Sequence, residues 1–230
     1  MTNRTHLFIV LALLLALGLL GWIMGRQIPP RIDLPFETGS TVLAAEVASM
    51  PDEIISVFGV DRRYAKPLQM QQYLDFIFIA CYVALFVIIG LALKNYDLPG
   101  ARWAAWIVIA CAVAAGLFDT GENITILRTI ANAGATSSPV RWFSVPKWAL
   151  VFLVMLLESP VFFFWPRLNL WWRLAAVVVG GLFLFVGASG LLFSALVSVS
   201  DIAWVAEWMT WAIGASTLFI AALLVRQLRY

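Results

Sequence analysis

Asp119, Glu122 and Asn123 stand at spacings of three and four at the end of a long apolar run. That spacing puts them on one face of a helix. Asp75 lies just inside a second apolar run, with Tyr82 two turns on along the same face, and Glu207 lies within the last run. A charged side chain in such a setting is costly unless it is partnered or faces water. Carboxyls gathered this way suit a cation, a proton or a cationic head group. Asp75, Asp119, Glu122 and Asn123 also offer the hard oxygen donors a divalent metal prefers. The plainer reading is that the acids pair with Arg128, Lys147 or the basic residues Arg62, Arg63 and Lys66, and pin helices together.

Glu158 differs from these. It falls roughly 16 Å into its run at about 1.5 Å per residue, close to the middle of a bilayer. It is a candidate mid-membrane proton site, the alternative being an acid hydrogen-bonded to a neighbouring helix. Pro160 behind it is expected to kink that helix.

Other chemistries are missing their residues. The one histidine, His6, lies ahead of the first apolar run. His-ligated zinc or haem within the bilayer, and Ser–His or Cys–His nucleophiles, all need imidazoles the runs do not supply. Cys81 and Cys111 form no C-x-x-C and read as small buried hydrophobes. Asp119-Thr120-Gly121 spells the triplet of pepsin-like proteases, but it sits in a helical run where that chemistry needs a loop. Asn123-Ile124-Thr125 is a glycosylation sequon at a helix end, too close to the membrane to be used. With a formal net charge of +2 and no basic stripe, nucleic acid is not an expected partner.

The elements that must position these residues follow from hydropathy. Of 230 residues, 63% are hydrophobic and 12% charged, against about 25% charged in ordinary soluble domains. The charges gather between long apolar runs, so the chain reads as all-α, a polytopic transmembrane helix bundle of about six spans. The run Leu7–Met24, within residues 1–25, reads as an uncleaved first helix because no small-residue cleavage site follows it. Residues 26–72 read as a small extracytoplasmic cap, with helix signals at Thr41–Met50 and after Pro51-Asp52-Glu53. Residues 73–230 hold five spans, expected at Tyr73–Leu93, Trp103–Arg128, Lys147–Trp165, Arg173–Val197 and Ile202–Val225.

Trp103, Trp106, Trp142, Trp148, Trp171 and Trp208 fall near span ends, as an interfacial belt would. Arg4, Lys94, Arg102, Arg167, Arg173, Arg226 and Arg229 then mark the cytoplasmic side, with both termini on it, in a cell membrane. This topology brings Asp75, Asp119, Glu122, Asn123 and Glu207 to one depth near the outer interface. In the fifth span Gly180, Gly187 and Ser194 form one line of small residues, and Gly181, Ala188 and Ala195 the next, suited to close helix contact.

The stretch from about residue 33 to 130 resembles a family of bacterial polytopic membrane proteins that carry L-D-x-x-F, a following Tyr, and D-x-x-E-N. Here these are Leu74-Asp75-Phe76-Ile77-Phe78 with Tyr82, and Asp119 to Asn123. The resemblance implies a bacterial inner membrane and points to the same acids, but carries no activity. The leading expectation is a non-enzymatic membrane protein binding a lipid, a cation or a protein partner at its outer face. The alternatives are a small proton- or cation-coupled transporter or channel component, a metal-dependent lipid-modifying enzyme, and an accessory subunit of a larger complex or a homo-oligomer.

Overall fold

A computed structural model describes residues 4–27, 57, 62–94, 99–132, 140–164, 168–196, 208–209 and 211–222. Five long helices follow one another: α1 (Arg4–Gln27), α2 (Ala65–Leu93), α3 (Ala101–Ala131), α4 (Arg141–Phe163) and α5 (Leu170–Leu196). A shorter apolar helix, α6 (Trp211–Ala222), comes after them. Each of the five is long and apolar enough to cross a bilayer, and no strand occurs among the described residues. The chain is an integral, multi-pass, all-helical membrane protein. Most of the cap segment, residues 28–56 and 58–61, lies outside the described residues, as do Glu207 and much of the expected last span.

Two helices begin six or more residues earlier than hydropathy alone predicts. α2 starts at Ala65 rather than Tyr73. Pro67 is tolerated there because the first helical turn has no internal use for its N–H. The polar Gln71 and Gln72 are buried in the helix, and Gln71 Nε2 donates to the Met24 carbonyl at 2.7 Å, tying the start of α2 to the end of α1. α4 starts at Arg141 rather than Lys147, which moves Lys147 almost two turns inward. Gly100, at φ 81°, makes the turn into α3 in the left-handed region that glycine occupies without steric cost.

Successive helices run antiparallel. Gly90, late in α2, faces Ala105, Val108 and Ile109, early in α3. On α5, Gly180, Gly187 and Gly190 meet Phe162, Leu156 and Phe152 of α4 in reverse order. Trp172 and Phe185 of α5 pack on Phe219 and Trp208, so α6 returns along α5. In lipid, apolar side chains gain little by leaving the solvent, so close packing and interhelical polar contacts hold such a bundle.

The small-residue positions serve this packing. Ala105, Ala112, Ala115 and Gly116 of α3 are buried, and a methyl on Gly116 would lie 2.7 Å from Val83 Cγ2. One on Gly187 would lie 2.6 Å from the Leu156 backbone nitrogen, whereas Gly181 has nothing within 4 Å. Of the two expected lines, the one through Gly180 and Gly187 is therefore in contact. Trp103, Trp142 and Trp171 are exposed near the starts of α3, α4 and α5, as belt residues should be.

Candidate functional site

The polar residues of α3 divide into two groups. Thr120, Thr125 and Thr129 donate back to the carbonyls of Gly116, Gly121 and Thr125 at 2.8–2.9 Å. These hydroxyls are satisfied within the helix. Asp119, Glu122 and Asn123 instead reach across to other helices, and all three are buried. Asn123 Nδ2 donates to Asp75 Oδ2 on α2 at 2.7 Å. The Tyr82 hydroxyl, also on α2, donates to Asp119 Oδ2 at 3.0 Å. Lys147 of α4 closes the arrangement, with Nζ 2.8 Å from Glu122 Oε1 and 3.3 Å from Asp119 Oδ1. Lys147 is only 4% exposed, and its ammonium lies 4.9 Å from the Trp148 ring centroid.

Three helices are thus joined at the end of the bundle where α2 and α4 begin and α3 finishes. Arg62, ahead of α2 and itself at φ 56°, donates to the Ile130 carbonyl and caps the last turn of α3. A cation at a helix C-terminus is favoured by the helix dipole. Arg128, an expected partner of the acids, is exposed on the helix surface.

Below this network lies a cavity of about 120 Å³. Its polar end is formed by Asp75, Tyr82, Asp119 and Lys147. The rest of the described lining is apolar except for Ser216. Leu14 and Leu17 come from α1, Phe78, Leu85, Phe86 and Ile89 from α2, and Phe183 from α5. On α4 the lining residues are Trp148, Val151, Met155 and Phe162. From Asp75 to Ile89 the wall extends about 21 Å at a rise of roughly 1.5 Å per residue.

No protein-family model matches the chain, and no curated protein or solved structure is significantly similar to it.

The structure therefore joins five of the expected site residues, Asp75, Tyr82, Asp119, Glu122 and Asn123. The sixth, Glu207, lies outside the described residues. Glu158 is separate from the network and fully buried. Neither of its carboxyl oxygens has a hydrogen-bond partner among the described residues, so the expected bond to a neighbouring helix is not made. By sequence Lys147 is one of several possible partners at a span's edge, yet it is the central cation. Its one sequence signal is a lysine inside an apolar aromatic stretch, directly after Pro146. Trp148, grouped by sequence with the interfacial belt, lines the cavity instead.

Each donor group of this network is engaged. The single Tyr82 proton goes to Asp119, the Asn123 amide donates to Asp75, and Lys147 bridges Asp119 and Glu122. Asp119 Oδ1 faces Lys147 at 3.3 Å but accepts no hydrogen bond among the described residues, so the capacity left on Asp119 is for receiving one. Among the described residues no group of three or more His, Cys, Asp or Glu side chains is arranged to hold a metal ion. The Lys147 ammonium occupies the place between Asp119 and Glu122 that a cation would take.

Proposed function

We propose that this membrane protein binds a single-chain amphiphile in the cavity, with a hydrogen-bond-donating or cationic head group against Asp75 and Asp119. The observation that carries the reading is the division of one narrow void into a charged end and a long apolar wall. Its volume is on the order of the 150 Å³ apolar cavity that accepts a benzene ring. Spread along α2 and α4, such a volume suits one hydrocarbon chain better than a bulky ring.

A proton path would need polar groups between the network and Glu158. The cavity-facing residues of α4 over that interval are Trp148, Val151 and Met155, which favours binding over transport. Kinship with bacterial membrane proteins carrying the two short motifs belongs to the same proposal, in which the motif residues pair as Asp75 with Asn123 and Tyr82 with Asp119. The orientation proposed from the basic residues keeps both termini cytoplasmic and this end of the bundle outward.

Trp148 gives a direct readout. The protein in phosphatidylcholine nanodiscs is titrated with bromododecylamine, whose heavy atom quenches indole fluorescence on contact. Saturable quenching is expected, lost in Trp148→Phe and weakened in Asp75→Asn. Quenching by bromododecanoic acid as strong as by the amine would overturn the head-group assignment. Unsaturable quenching by both compounds would overturn the binding site.

A further inference from the structure

Asp119 and Lys147, at the polar end of the cavity, are buried. A ligand arriving from the bilayer must pass between wall helices to reach them. Those helices are not held equally. Lys147, Asp119, Tyr82, Asn123 and Asp75 tie α2, α3 and α4 together. α5 presses Gly180, Gly187 and Gly190 against α4. α6 joins both α4 and α5 through Phe219, which packs on Phe162 and Trp172.

α1 is attached more loosely. Among the described residues it packs on α2 and makes no comparable contact with α3, α4 or α5. It buries 22% of its apolar span, against 33–50% in the other four long helices. Its buried stripe is narrow, running through Leu7, Val10, Leu14 and Leu17, and Gly18, Gly21 and Gly25 have nothing within 4 Å.

Yet Leu14 and Leu17 line the cavity. Gln71 meets Met24 where α2 begins and α1 ends. Counted from that contact along the antiparallel pair, Leu17 and Phe78 both lie roughly 10 Å away at about 1.5 Å per residue. Leu14 falls in the same way near the level of Tyr82. α1 therefore covers the junction of the polar end and the apolar wall. Apolar faces that part within a bilayer meet hydrocarbon rather than water, so their separation costs packing but no hydrophobic free energy. The Gln71 hydrogen bond to the Met24 carbonyl, at 2.7 Å, is a polar latch at this end.

We propose that α1 is a lateral gate of the cavity. Its Met24 end swings away from α2 to admit the amphiphile from the bilayer, then closes over it. The inference rests on the amphiphile-binding reading above and adds the route by which the ligand enters and leaves.

Met24→Cys and Gln71→Cys are combined with Cys81→Ala and Cys111→Ala, and the two new thiols are bridged by a short, reducible bis-methanethiosulfonate. The nanodisc-embedded protein is mixed rapidly with bromododecylamine, and the part of the quenching that Trp148→Phe abolishes is followed in time. The bridge is expected to slow its onset by about tenfold or more, and reductant to restore the rate. In the otherwise unaltered chain, Gln71→Leu is expected to speed binding and release alike by about fivefold, the size of one net hydrogen bond, with Kd little changed. Equal rates in the bridged and reduced protein overturn the gate while cavity binding stands. A Gln71→Leu variant with unaltered rates overturns the latch. Absence of saturable quenching in the wild type removes the binding reading, and this inference with it.

Discussion

Lys147 Nζ stands 2.8 Å from Glu122 Oε1, with the two side chains 5% and 1% exposed. A buried pair of this kind is retained at the expense of two hydration shells, so the pair itself adds little net stability. Breaking it is a different matter, because one charge remains with no solvent to receive it. Lys147→Met is expected to cost about 3–5 kcal/mol. Adding Glu122→Leu to it should recover part of that loss, since only Asp119 then remains, still held by Tyr82. Unfolding in mild detergent, read as a double-mutant cycle, measures both. A loss in the double variant equal to the sum of the two single losses would show that the two residues are not coupled.

Tyr82 and Asp119 make a neutral donor–carboxylate bond at 3.0 Å. Tyr82→Phe removes the donor and leaves the ring packing between Phe78 and Phe86 in place. The buried Asp119 oxygen loses its partner, at a cost of about 1–3 kcal/mol. A variant as stable as the wild type would mean that the hydroxyl contributes nothing to the network.

Gly187 and Gly181 make a matched test of helix packing. An alanine methyl at Gly187 would press on the Leu156 backbone, which cannot rotate away, and overpacking of this kind costs about 1–3 kcal/mol. The methyl at Gly181 meets nothing within 4 Å. Gly181→Ala should be neutral or stabilising by up to about 1 kcal/mol, from helix propensity. Thermal melts of the two variants side by side decide the point, and a reversal of the order would contradict the α4–α5 interface.

Magnesium or calcium at millimolar concentration should leave the melting temperature of the wild type unchanged, because Lys147 already neutralises Asp119 and Glu122. In Lys147→Met the same ions are expected to raise it, as a cation then finds two carboxylates without their ammonium. A rise in the wild type that Glu122→Gln abolishes would reinstate a metal site.

Some of this organisation is legible in the residues alone. Long apolar runs can satisfy their backbone in lipid only as helices, so the all-helical bundle follows from hydropathy. Within one helix the periodicity of 3.6 also settles which residues share a face. Asp119, Glu122 and Asn123 could be grouped on that ground, and so could the small-residue faces of α3 and α5. Periodicity says nothing about which face meets which. The pairing of Asn123 with Asp75, the burial of Lys147 between Asp119 and Glu122, and the place of Trp148 in a cavity wall depend on contacts between helices. Those contacts depend on close helix approach, as at Gly116 against Val83 and at Gly187 against Leu156. By sequence Trp148 is one tryptophan among several near span ends and Glu158 one acid among several in apolar runs. Tertiary packing alone separates a lipid-facing indole from a cavity wall, and a paired carboxyl from an unpaired one.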